Sequence, residues 1–203
     1  MALLFAFQVA GCHKPSLRGP YVPSEPYRDA LERHMRWAEI YNNVDREMSV
    51  VAVYIGPALR KLLYGEYRRV FGIPVTASRG RLERNLIESE GKTTFFLFAD
   101  AADYAMANLE ERDSAWKVSL RLSDGKTFVG KVTYLRVPWP NLKALFPFVD
   151  EFGRSFLVTF GGAGGQDAPE DLSGGRLVLH IGGAFGSADM SWDTSGKRGS
   201  QWD

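Results

Sequence analysis

The side chains able to do chemistry unaided are few. The chain has three imidazoles, His13, His34 and His180, and one thiol, Cys12. No two histidines stand at metal-ligand spacing, and one thiol cannot complete a zinc set, so no metal residues are assigned. No G-x-S-x-G occurs. A Ser-His-Asp set is assembled in space rather than in sequence, so spacing does not exclude one. The run Gly161-Gly162-Ala163-Gly164-Gly165 invites a phosphate-loop reading. A phosphate loop needs a helix N-terminus and usually a Lys. Gln166-Asp167-Ala168-Pro169-Glu170-Asp171 follows instead. These residues read as a flexible loop between strands. Its carboxylates lack the EF-hand pattern, and an acidic surface turn accounts for them. No catalytic residue and no cofactor is assigned.

The thiol is different, because its surroundings have a pattern. Cys12 ends the run Leu3-Leu4-Phe5-Ala6-Phe7-Gln8-Val9-Ala10-Gly11. Val9, Ala10, Gly11 and Cys12 resemble the lipobox of bacterial lipoproteins at all four positions. The residue types suit that chemistry: lipid transfer needs a thiol, and small residues let an extended backbone enter a peptidase. The apolar run has the size of a signal-peptide core and is too short to span a bilayer. One departure is the absence of Lys or Arg before the run. Residues 2–10 could otherwise be a buried strand with Cys12 a core thiol. His13-Lys14-Pro15 and the prolines beyond argue for a tether instead. The resemblance implies a signal peptide over 1–11 and a lipid attached to Cys12. Under the sorting rule it brings, His13 rather than Asp after the Cys directs the protein to the outer membrane, facing the periplasm.

The chain is 45% hydrophobic and 24% charged, which suits one domain with a real core. A net charge of +1 argues against a nucleic-acid partner held by phosphate neutralisation. A disulfide framework is excluded by the cysteine count.

Residues 12–27 carry Pro15, Pro20, Pro23 and Pro26 and read as an extended tether. Arg28–Arg36 is ambiguous; Ala30, Leu31, His34 and Met35 would share a helical face. Arg36–Tyr41 and Glu47–Ile55 predict a hairpin turning at Asn42–Asp45. Pro57–Phe71 predicts a helix, with Gly72 as its cap and Pro74 as its stop. Its apolar stripe is Leu59, Leu62, Leu63, Tyr67, Val70 and Phe71. A second helix is expected over Ser78–Glu90. Strands follow at Thr93–Ala99, Trp116–Leu122, Thr127–Val129, Lys131–Val137, Ser155–Phe160, Arg176–Ile181 and Ala188–Trp192, with a hairpin at Asp124-Gly125. Asp100–Asn108 suggests one helical turn. The fold class expected is mainly β: an immunoglobulin-like β-sandwich over 28–193 with a helical insertion at about 57–90, then a flexible tail over 194–203.

The order of pieces resembles a group of uncharacterised, periplasm-facing bacterial lipoproteins with a β-sandwich domain. The match runs through the Cys12 lipobox, the Trp37…Ile40-Tyr41 to Val50–Ile55 hairpin with its following helix, and Trp116-Lys-Val-Ser-Leu…Asp124-Gly125 with Phe156–Phe160. That group brings no activity. The helical segment has a local excess of positive charge, and Arg60, Lys61, Arg68 and Arg69 are its candidate contacts for anionic headgroups or an acidic partner. A solvated helix face is the alternative. Trp139, between Pro138 and Pro140, is either an exposed anchor for a partner or a cap over the sandwich. The sequence therefore predicts a lipid-anchored envelope protein, non-enzymatic, acting as an interaction or assembly module. The alternatives are an anchored enzyme with a loop-built site, or a carrier of a small apolar ligand.

Overall fold

The computed structural model describes residues 21–74, 84, 87, 92–161 and 175–194. Helix α1 (Glu25–His34) leads into β1 (Met35–Asn42) and β2 (Asp45–Tyr54), then α2 (Pro57–Phe71) and β3 (Thr93–Ala101). A 3-10 turn (Tyr104–Ala107), β4 (Trp116–Leu122), β5 (Thr127–Val129), β6 (Lys131–Tyr134) and a short α3 (Trp139–Lys143) follow. Strands β7 (Arg154–Phe160), β8 (Arg176–Gly183) and β9 (Gly186–Asp193) complete the described chain. The strands form a five-stranded sheet, β1-β2-β3-β7-β6, and a four-stranded sheet, β5-β4-β8-β9. Every pairing is antiparallel. The two-sheet antiparallel architecture is therefore that of a sandwich. Its strand order is not the ABED-on-CFG order of immunoglobulin domains.

The two sheets share a corner. The Gly130 amide donates to the Val118 carbonyl of the four-stranded sheet at 2.9 Å. The next residue, Lys131, already pairs with Thr159 of the five-stranded sheet. A side chain at Gly130 would stand 2.7 Å from Val158 Cγ1 and 3.0 Å from a Phe160 ring carbon, so only glycine fits this bend. On the opposite side β1 and β9 run alongside each other. Arg36 Nε donates to the Ser191 carbonyl at 3.0 Å, and Trp192 Nε1 donates to the His34 carbonyl at 2.7 Å. At the far end of that seam a Cβ on Gly186 would come within 2.9 Å of the Tyr41 carbonyl.

Alternation along the strands fills the space between the sheets. Phe95, Phe156, Phe160, Trp116, Leu120, Leu179 and Trp192 meet there, all buried. The other face of the five-stranded sheet is also covered. Val51, Val53, Phe96, Phe98 and Leu157 pack under α1, α2 and the α3 region. Phe96 stacks on Phe146, with centroids 3.8 Å apart. Strands β2, β3 and β7 are thus sealed on both faces, which is why they read as continuous apolar runs. Among the described residues the outer face of the four-stranded sheet has no such cover, and β4 alternates buried with exposed or half-buried.

Some expectations shift. Helix α1 begins inside the segment read as tether, because Pro26 sits in its first turn, where a missing amide costs nothing. The strand expected to reach Val137 ends at Tyr134, and Trp139–Lys143 is a helical turn, again with proline at its start. Helix α2 ends where expected, with Gly72 left-handed at φ 59°. Apart from Arg84 and Ile87, the expected second helix lies outside the described residues, as do residues 1–20, most of the loop after Gly161 and the expected tail after Thr194.

Candidate functional site

The basic set expected on α2 is split up. Arg60 was expected on the open face but is only 8% exposed, and its guanidinium reaches back to the Ile55 carbonyl at 3.4 Å. The buried line of α2 is Leu59, Arg60, Leu63 and Glu66, rotated from the apolar stripe read in the sequence. Leu62, Tyr67, Val70 and Phe71 are only half-buried. Lys61 is exposed, and Arg68 donates to the Pro74 carbonyl at 2.6 Å. Arg69 is bound to Glu66.

Glu66 explains the rotation. Its carboxylate is 3% exposed and takes four hydrogen bonds. Arg69 donates from Nη2 at 2.6 Å and from Nε at 3.1 Å. The Ser24 amide donates at 2.9 Å and the Ser24 hydroxyl at 2.7 Å. Burial by itself would raise the Glu66 pKa, but the bonds from Arg69 and Ser24 outweigh it and hold the carboxyl below its ordinary value. Ser24 is the N-cap position of α1, yet its hydroxyl serves Glu66 rather than its own helix. Arg69 also donates to the Val22 carbonyl at 3.2 Å and lies 5.0 Å from the Tyr21 ring centroid. The described chain therefore enters the domain through a polar clamp on α2. Tyr27 deepens it, with its buried hydroxyl donating to the Leu145 carbonyl at 2.8 Å.

The outer face of the four-stranded sheet carries a polar cluster. Asp189 on β9 accepts from Arg121 Nη2 on β4 at 3.0 Å and from His180 Nδ1 on β8 at 2.7 Å. A carboxylate only accepts, so Nδ1 of His180 bears the proton. Burial would raise the Asp189 pKa, but His180 and Arg121 together lower it. Arg176 donates to the Ser191 hydroxyl at 3.3 Å. Arg121, Ser123, Arg176, Asp189 and Ser191 line an open cleft of ≈ 310 Å³. Ser119 stands directly opposite His180 in the ladder, so Ser119, His180 and Asp189 form a row across three strands. No hydrogen bond joins Ser119 to His180 among the described residues, and His180 Nε2 lies over Gly182 instead. The row thus lacks the nucleophile-to-base contact that acyl transfer requires. What it offers is a fixed pattern of donors and one carboxylate, suited to binding polar groups. No group of three His, Cys, Asp or Glu that could hold a metal occurs among the described residues.

A second concavity, ≈ 380 Å³, lies between the end of α2 and the start of α3. Tyr67, Phe71, Ile73, Val137, Pro138 and Asn141 line it, with Arg136. Trp139 is 40% exposed, with Lys143 Nζ 5.6 Å from its ring centroid. Trp139 is therefore not sealed over the end of the core. Sequence reasoning missed both concavities. Each is made by elements far apart in the chain, which no local pattern reveals.

Cys12 and His13 lie outside the described residues. No family model matches the chain, and neither a curated protein nor a solved structure matches it.

Proposed function

We propose that the chain is a lipid-anchored protein of the bacterial cell envelope, held through Cys12, whose folded part is a non-enzymatic interaction module. Val9-Ala10-Gly11-Cys12 and the proline-rich segment after them support the anchor. The observation that carries the module reading is the outer face of the four-stranded sheet: its Arg121–Asp189–His180 cluster is half-exposed and hydrogen-bonded, and no nucleophile contacts His180 among the described residues. A carrier of apolar ligands needs an apolar chamber, and aromatic and aliphatic side chains occupy the space between the sheets. The immunoglobulin-like layout enters as an analogy of layering: two antiparallel sheets around one core leave outer faces for binding. His13 after the Cys supports an outer-membrane position facing the periplasm, with another envelope protein as partner.

The test is fractionation of cells expressing the wild type and Cys12→Ser, with metabolic palmitate labelling. The expected result is a labelled wild type in the outer-membrane fraction and an unlabelled, folded, soluble Cys12→Ser. A wild type that takes no label would sink the anchor.

A further inference from the structure

The cleft on the outer face of the four-stranded sheet is built around Val178. Val178 pairs with Arg121 on β4 and with Ser191 on β9, so the three stand in one row across the sheet. Arg176 precedes Val178 by two residues on β8 and lies on the same face. Arg121 and Arg176 are therefore diagonal neighbours, about 7–8 Å apart at the backbone. Val178 and Leu122 give the cleft its apolar surface, and Ser123 closes one end. A Cβ on Gly175 would stand 2.9 Å from the Ser123 hydroxyl, so glycine there leaves that hydroxyl uncovered.

The polar groups of the cleft are mostly donors. A guanidinium only donates, and has several N–H groups to give. Among the described residues Arg121 donates one to Asp189, and Arg176 one to Ser191. The Ser191 hydroxyl accepts from Arg176, so its own proton remains to donate. Asp189 is the only carboxylate among the described lining residues, and both its oxygens already accept, from Arg121 and from His180. In charge, Asp189 offsets Arg121. Arg176 has the neutral Ser191 as its partner among the described residues. Asp193 stands opposite Arg176 in the ladder but does not line the cleft. The lining thus combines a single positive excess, surplus donors and an apolar floor.

A group that answers this lining must accept hydrogen bonds, carry a single negative charge and bring carbon to rest on Val178. A carboxylate does so, and its planar pair of oxygens matches the guanidinium fork. A phosphate monoester brings closer to two charges, and Asp189 in the same cleft would repel the excess. We infer that the cleft between Arg121 and Arg176 binds a carboxylate carried by a protein partner on an aliphatic stem, as on a glutamate side chain. This rests on the reading of the sheet's outer face as the binding face of an interaction module, and names the group that face takes. Both arginines are exposed, so the contact is weak alone and acts as one fixed point within a larger interface.

The experiment titrates the full chain as Cys12→Ser, which carries no lipid, and follows its backbone amide signals by NMR. The probes are a tripeptide with a central glutamate, blocked at both ends, the same tripeptide with glutamine, acetate, and inorganic phosphate. The expected result is that the glutamate peptide shifts the signals of Arg121, Ser123, Val178 and Ser191, that the glutamine peptide does not, and that salt weakens the effect. Acetate and phosphate should bind more weakly than the glutamate peptide. Arg176→Gln should weaken the glutamate peptide about fivefold, the upper end of what an exposed ion pair contributes. Circular dichroism confirms that the variant is folded. Silence of these signals toward the glutamate peptide overturns the proposal, as does equal binding of the glutamine peptide or binding that Arg176→Gln leaves unchanged. Tighter binding of phosphate would overturn the carboxylate, and equal binding of acetate would overturn the protein partner as its source. Failure of the two readings gives different patterns. A peptide that binds and is then cleaved keeps the site and refutes the non-enzymatic module. A silent cleft in a chain whose wild type takes palmitate refutes the site and keeps the anchor.

Discussion

Removing the charge from Glu66 should loosen the clamp that ties the chain's entry to α2. Glu66→Gln keeps the volume and still offers one carbonyl to the Ser24 amide. It loses the charge that strengthens all four bonds. A hydrogen bond to a charged group is worth about 1.5–3 kcal/mol, against about 1 kcal/mol for a neutral one. The two Ser24 bonds should therefore lose roughly 1 kcal/mol together. The Arg69 side chain is 48% exposed, so solvent screens its share, and the Ser24 bonds carry the effect. The expected destabilisation is about 1–2 kcal/mol for Glu66→Gln, and about 2–4 kcal/mol for Glu66→Ala, which also leaves the half-buried Ser24 amide without its acceptor. Urea unfolding followed by far-UV circular dichroism reads both. Combining Glu66→Gln with Ser24→Ala should cost less than the sum of the two, since they break the same bonds. The folded pKa of Glu66 lies below its ordinary value, so its stabilisation is complete above the usual glutamate value of about 4.3 and fades as pH falls through the folded value. The gap between wild type and Glu66→Gln should therefore close on acidification. A loss under about 0.5 kcal/mol for both variants, typical of an ordinary surface change, would refute the clamp. So would a gap that widens with acid.

Two further perturbations test the core and the corner. Leu63→Ala, at a wholly buried position, should cost about 2–5 kcal/mol in thermal or urea unfolding; a loss near zero would mean that α2 does not pack as described. Gly130→Ala should cost about 1–3 kcal/mol, because its methyl meets Val158 and the Phe160 ring; an unchanged unfolding midpoint would show that the corner can open without strain.

How much was legible in the sequence depended on whether the signal was local. The Asn42–Asp45 turn, the Asp124-Gly125 hairpin, the period two of Trp116–Leu122 and the Gly72 cap all depend on neighbouring residues, and all appear close to where the sequence puts them. Proline was the ambiguous signal. Pro26 was read as part of the tether and instead opens a helix, a distinction that only the following turn reveals; Pro140 likewise sits in the first turn of α3. The burial of Arg60 and Glu66 could not be read from α2 alone. Their places follow from α1 folding back over that face, through a contact between Ser24 and Glu66 that spans 42 positions. The Arg121–Asp189–His180 cluster was hidden for the same reason: β4 reaches β8 and β9 only after α3 and β7 have been laid into the other sheet. The sandwich itself followed from the number of strands and turns, whereas its strand order needed the pairings.

The seam between β1 and β9 has a consequence for how the molecule comes into being. The bond from Trp192 to the His34 carbonyl joins positions 158 apart, and that from Arg36 to Ser191 joins positions 155 apart. Contacts of such span carry the largest loop-closure entropy and place a chain among the slow folders. A chain made from its N-terminus has its first hairpin ready long before β9 exists. Until then the edge of β1 and the inner faces of Ile40 and Met48 have nothing to close against. The newborn chain is therefore exposed to aggregation for almost the whole of its synthesis.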